Sequence, residues 1–248
     1  MTDSPRPAGD RPRVTGRSRD LVIVADRAIL GFTRHWLLYL NLFVAVYVGV
    51  PFLAPVLLEA NLPGPARAIY ALYGSLCHQL GYRSWYLFGE RLAYPRDIFQ
   101  AYSGIDPNDP EQMLAARQFI GNARMGYKVA YCERDTAIYG AILLGGLVFA
   151  LPGVARRVKP LNWFAYALLG VGPIALDGFS QLFSQYPYNT LSIFAWLPYR
   201  ESSPFLRALT GALFGLANVW LAYPYLVQSM ADVRHELETK FTRAGIPH

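Results

Sequence analysis

Four stretches of the chain stay apolar for close to the length of a membrane crossing, and none of them alternates as a half-buried strand would. They run from about Leu37 to Leu58, Thr136 to Pro152, Leu161 to Leu182 and Phe205 to Ser229. A helix needs about 20 such residues to cross about 30 Å of hydrocarbon, and only helices or closed barrels satisfy their backbone in lipid. With no barrel-type alternation, the pattern predicts an all-α fold. It is an integral membrane four-helix bundle, spans 37–58, 136–152, 161–182 and 205–229, with a small helical cap formed by 59–133.

Between the spans the pattern changes. Residues 1–19, rich in Pro, Gly, Arg and Asp, are expected to be disordered. Asp20 to Arg34 mixes Leu21, Ile23, Val24, Ile29, Leu30 and Phe32 with Arg27 and Arg34, which reads as an amphipathic helix lying on a membrane surface. The domains are thus a tail 1–35, a transmembrane domain 36–230 and a second tail 231–248. Ala66 to Leu80 is apolar but too short to span, so it is interfacial, re-entrant or packed on the bundle. Ser103 to Pro110 is a turn-rich break, and Pro110 to Gln118 a short helix with Asp109 as N-cap and Pro110 at its first position.

Composition supports this picture. The chain is 53% hydrophobic and 16% charged, with 17 Tyr and 5 Trp for the two membrane interfaces. The net charge of +6 gains its meaning from placement. Residues 1–35 carry seven Arg against four Asp, and Arg156, Arg157 and Lys159 share a short loop without an anion. Segment 59–133 is balanced at seven basic and seven acidic groups, and 183–203 at one Arg and one Glu. The positive-inside rule puts both termini in the cytoplasm and the cap 59–133 outside a cell membrane. The bilayer is then the expected partner of the basic patches, and nucleic acid is not.

The chemistry gathers in two clusters, Leu76-Cys77-His78-Gln79 and Tyr131-Cys132-Glu133-Arg134-Asp135, which hold both cysteines of the chain. If the second span has begun by Cys132, Cys132 and Asp135 share a helix face, as do Asp135 and Tyr139. Asp177 lies about 24 Å along the third span at 1.5 Å per residue, with Gln181 one turn on. A carboxylate at that depth needs a partner, and Arg134 or Arg207, each at the outer start of a span, could serve. Two readings of the thiols stay open: a Cys77–Cys132 disulfide, or a metal site of Cys77, His78, Cys132 and Asp135 holding a divalent ion such as zinc. Gly211 and Gly215 form a GxxxG, which packs either inside one bundle or at a homo-oligomer or membrane-complex seam. No phosphate loop, His-Glu-x-x-His or nucleophile elbow is present.

These residues also carry a resemblance. Leu76-Cys77-His78-Gln79 with Arg83-Ser84 and Leu87-Phe88-Gly89, then Cys132 to Tyr139, Asp177-Gly178 to Gln181, and Leu206-Arg207 to Gly215, resemble in order the motifs of DUF2085, a family of uncharacterised prokaryotic membrane proteins. The resemblance spans about residues 70–225. It differs at Asp135, where the family pattern has a second Cys, and across Glu90 to Lys128, which looks like an insertion. A three-Cys, one-His set implies zinc or redox chemistry, and Asp135 turns it into an N/S/O set. The resemblance implies no activity. The remaining readings are an outward-facing site for a metal or small ligand, or a non-catalytic accessory protein held by a disulfide.

Overall fold

The computed structural model describes residues 16–247, so most of the stretch 1–19 lies outside the described residues. The element order is α1 (Arg17–Glu59), α2 (Pro63–Gly74), β1 (Ser84–Leu87), α3 (Arg96–Ser103), α4 (Met113–Gln118), β2 (Gly121–Asn122), β3 (Gly126–Cys132), α5 (Glu133–Phe149) and α6 (Val154–Arg157). Then come α7 (Trp163–Ala165), a π-helical turn (Tyr166–Val171), α8 (Gly172–Phe183) and α9 (Pro204–Arg243).

Three helical segments are long and apolar enough to cross a membrane: Arg17–Glu59, Trp163–Phe183 and Pro204–Arg243. The first passes through Pro51 and Pro55 without ending, and both rings are fully buried. In the second, Pro173 has no N–H to offer the preceding turn. The chain widens there, and Gly172 N–H bonds Ala167 O, five residues back. The expected second span is α5, which begins earlier, at Glu133, and with 17 residues is the shortest of the four. Its first turn is spent on Glu133, Arg134 and Asp135 rather than on apolar length.

Leu37–Leu226 form one compact unit. Within it, glycines let helices meet. A Cβ on Gly170 would come within 2.7 Å of Ala217, bringing the Trp163–Phe183 helix onto α9. On Gly211 it would come within 2.7 Å of Arg134 O, and on Gly215 within 2.3 Å of Ile138 O. The GxxxG face is therefore covered by α5 of the same chain. Of the two readings of the GxxxG, packing inside one bundle is the one these contacts match, because a surface against a helix backbone at that distance has no room for another. The other unit holds the described residues up to Trp36 and from Val227 onward. Its core is Leu30 against Leu237 and Phe241, with Arg34–Glu238 and Lys240–Asp26 ion pairs at its surface.

The cap is not all-helical, and here the all-α expectation is corrected. It holds a three-stranded antiparallel sheet in the order β1-β3-β2. β3 pairs with β1 through Ser84–Cys132, Tyr86–Lys128 and Leu87–Tyr127, and with β2 through Gly121–Tyr127 and Asn122–Gly126. The sequence Gly-Tyr-Lys-Val-Ala-Tyr-Cys has the aromatic and β-branched content of a strand. It is covered on both faces, by Tyr70 and Tyr73 of α2 among others, so it shows no polar–apolar alternation to read. Gly126 sits at φ +69°, where a Cβ would be 2.1 Å from Leu87 O, so the strand pair closes only on glycine. The helix expected from Asp109-Pro110 forms, with the Asp109 carboxylate accepting from Glu111 N–H at 2.9 Å.

Lys128, in the middle of β3, is 1% exposed. Its Nζ donates to Gln79 O at 2.7 Å and Arg117 O at 2.6 Å. Burial pushes the ammonium from 10.5 down to about 7. Between those values the unfolded chain holds a proton the folded chain has lost, so stability rises with pH through that window and the cost is fully present below it. The slope is at most about 1.4 kcal/mol per pH unit. The melting temperature of the native chain, minus that of Lys128→Met, is thus expected to increase from pH 7 to 9.5. A pH-independent difference would refute a lysine neutralised by burial.

Candidate functional site

Cys77 follows α2 through a bond from its N–H to Tyr73 O at 2.9 Å. Two residues on, Gln79 takes φ +51°, a left-handed turn uncommon for a side chain other than Asn or Asp. That turn is fixed by the Gln79 amide, which donates to Tyr70 O and Ala130 O, each at 3.0 Å. Gln79 is thus the clamp between α2 and β3, and it explains why the cluster ends in glutamine. The turn buries Cys77 and leaves its neighbour His78 exposed.

On the other side, Cys132 is at once the last residue of β3 and the N-cap of α5. Its Sγ accepts from Asp135 N–H at 3.4 Å. Strand and helix join with no linker, so the sheet register aims the helix start. As a result the ligand atoms of Cys77, Cys132 and Asp135 lie within 4.8 Å of one another. The Cys77 thiol bonded to it, and then burial, push the Cys132 thiol well above its ordinary value. The two thiols are free and not at disulfide distance, which corrects the disulfide reading. The left-handed turn and the strand pairing hold them beside each other without a covalent tie. Tyr139 stands one turn beyond Asp135 in a ring cluster with Tyr47 and Tyr131.

The charged residues form a second layer. Asp177, buried in α8, receives Arg134 Nη2 at 2.5 Å, Arg200 Nη2 at 2.7 Å and Ser202 Oγ at 2.8 Å. Arg207 pairs instead with Glu133 at 2.8 Å and with Glu201. Glu201 also takes both a bidentate pair of bonds from Arg83, each 3.0 Å, and an ion pair with Arg96 at 3.2 Å. Gln181, one turn from Asp177, donates to Glu201 at 3.1 Å. Sequence reasoning singled out Arg134, Asp177, Gln181 and Arg207, but not Arg83, Glu133, Arg200 or Glu201. Arg83 and Glu133 stand inside the quoted motifs. Arg200-Glu201 is the one charged pair in an otherwise neutral connection between spans, which is the signal that could have found it.

A cavity of about 510 Å³ joins the two layers, its wall including His78, Cys132, Arg134, Asp135, Gln181 and Arg207. Cys77, Cys132 and Asp135 are brought together as one group, while His78 reaches only the cavity that Cys132 and Asp135 border.

The order of these groups along the chain now has a counterpart among known proteins. Residues 117–221 match the DUF2085 family, described as a predicted membrane protein. That segment contains Cys132–Tyr139, Asp177–Gln181 and Arg207–Gly215, whereas Leu76–Gln79 precedes it. The match is therefore shorter than the 70–225 read from the motifs. The chain is also similar to an uncharacterized protein, MJ1492, of Methanocaldococcus jannaschii. The two are 23% identical over 197 residues, covering 77% of this chain and 92% of the relative. No solved structure matches it. The matched segment thus holds Cys132, Glu133, Arg134, Asp135, Asp177, Arg200, Glu201 and Arg207, while Arg83, Arg96 and the short Cys-His-Gln turn lie before it.

Proposed function

We propose that the chain is a four-span membrane protein whose outward-facing site binds a divalent metal such as zinc through Cys77, Cys132 and Asp135. The observation that carries this reading is the approach of those three ligand atoms to within 4.8 Å. A tetrahedral ion with about 2.3 Å bonds to sulfur needs its ligands roughly 3.8 Å apart, so a small inward shift suffices. Three protein ligands with one open position is the arrangement of catalytic rather than structural zinc sites. Cys132, Asp135 and His78 all line the cavity, so the open position has room for a water, a substrate or the His78 ring. A bound ion would also deprotonate the Cys132 thiol, which its contact with Cys77 and its burial hold above the ordinary range.

The fourth span in this reading is α5. Its 17 residues reach about 25 Å at 1.5 Å per residue, within the lower range for a crossing, and Leu144, Leu147 and Val148 are exposed along it. The cationic loop at α6 and the arginine-rich N-terminal segment support cytoplasmic termini, which sets the site on the outer side.

Metal analysis with thiol counting tests the reading. The expected result is one equivalent of metal per chain in detergent-purified protein. After chelation and denaturation, two titratable thiols are expected. Cys132→Ser and Asp135→Ala should each lose the metal, and cobalt-loaded native protein should show thiolate-to-metal absorption that neither variant shows. After metal removal, a membrane-impermeant thiol reagent should label Cys132 from outside. Metal-free protein that also fails to take up cobalt, or an intact mass lower by two hydrogens, would overturn the site. Labelling from the cytoplasm alone would overturn its orientation.

A further inference from the structure

The same cavity has a face that the metal reading leaves unused. Arg83, Arg134 and Arg207 line it together with Ile174, Phe179 and Leu182 of α8. Phe179 and Leu182 are 55% and 43% exposed, so the apolar wall continues onto the outer surface of a helix long and apolar enough to sit in lipid.

The charge around the arginines does not balance. Arg83, Arg96, Arg134, Arg200 and Arg207 share three carboxylates, Glu133, Asp177 and Glu201. Two positive charges are left over among these pairs, and one once Asp135 of the cavity wall is counted. The fourth nearby carboxylate, Asp135, stands with the thiols and forms none of these ion pairs. The Arg207 side chain is 4% exposed, yet its Nε has no hydrogen-bond partner; the Nε of Arg134, whose side chain is 24% exposed, is buried and also unpartnered. A buried guanidinium with an unused donor is costly, because that group has lost its water. An oxyanion removes the cost, and phosphate matches the guanidinium fork.

We propose that this cavity binds the phosphate group of an amphiphile, with its hydrocarbon running along Ile174, Phe179 and Leu182 toward the bilayer. A volume of about 510 Å³ is in the range of small-ligand sites. It accommodates a phosphorylated head and the first methylenes, so the rest of the chain leaves along α8. Basic pockets between membrane helices hold lipid headgroups in this way. An inorganic phosphate would satisfy the arginines but leave the apolar wall unused. No residue assigned to the phosphate is a proposed metal ligand, so this inference stands or falls separately from the metal.

Native mass spectrometry on delipidated protein in detergent tests it, with phosphatidic acid, phosphatidylglycerol, phosphatidylcholine and inorganic phosphate as probes. One molecule of an anionic phospholipid per chain is expected, at least 10-fold tighter than phosphatidylcholine and than inorganic phosphate. Inorganic phosphate should compete for the same site. Ala175 also lines the cavity, on α8, and takes part in none of the ion pairs; Ala175→Trp should fill the apolar wall and weaken lipid binding at least 10-fold with unchanged metal content. Arg134→Gln should erase the preference for anionic over zwitterionic lipid. Equal binding of phosphatidylcholine, inorganic phosphate as tight as the lipid, or full lipid binding by Ala175→Trp would each overturn the proposal.

Discussion

Glu201→Gln is expected to lower the stability of the detergent-solubilised protein by about 3–5 kcal/mol, the loss seen when one partner of a buried pair is removed. For a chain of this size that is a fall of roughly 10 °C in melting temperature. Glutamine keeps the shape and one acceptor oxygen but removes the charge. Glu201 is 16% exposed and is shared by Arg83, Arg96 and Arg207. Of these, only Arg207 keeps a second carboxylate, Glu133. Combining Glu201→Gln with Arg83→Gln should cost less than the sum of the two, because the double change removes a stranded charge as well as its partner. Strict additivity, or a melting temperature within 2–3 °C of the native chain (about 1 kcal/mol), would show that water rather than protein neutralises these arginines.

Gly215→Val should be almost as damaging, by a different route. A Cβ at this position would sit 2.3 Å from Ile138 O and 2.9 Å from Ala141 Cβ. The obstacle is helix backbone, which cannot rotate away, so α9 and α5 must separate. Overpacking of this kind costs about 1–3 kcal/mol and occasionally more. The start of α5 carries Cys132, Glu133, Arg134 and Asp135, so a displaced α5 should also lose the metal. Gly140→Ala is the control: it lies on the same helix with nothing within 4 Å of its would-be Cβ and should leave both readouts unchanged. Were the glycines an oligomer seam, Gly215→Val would dissociate a complex and leave the monomer's melting and metal intact.

How far the sequence could be read depended on whether a signal was periodic or pairwise. The long apolar helices are periodic and local, and Arg17–Glu59, Trp163–Phe183 and Pro204–Arg243 follow them. The sheet escaped because β3 is covered on both faces and β1 is four residues long, so neither alternates. Asp177 stood out as a lone carboxylate inside an apolar run. Glu201 did not, since a charged residue in a connection looks solvated, and its bonds to Arg83 bridge 118 positions. The juxtaposition of Cys77 with Cys132 was suspected from chemistry alone. Which neighbour of Cys77 would join it was not, because that turns on one left-handed residue, Gln79.

The join between β3 and α5 also bears on how this architecture can change over time. The stretch Glu90 to Lys128, which reads as an insertion, leaves the sheet after β1, returns to its far edge as β2 and ends within β3. Ser84 opposite Cys132 restores the position of the thiol whatever lies between, provided the two strands find their pairing. Lengthening such an excursion is inexpensive, about 0.6 kcal/mol per doubling of a flexible loop. A single residue added inside β3 would instead turn Cys132 to the opposite face of the sheet and break the ligand group. The cap is therefore free to vary in size and surface, and with them in whatever it meets, while the thiols beside it keep their places.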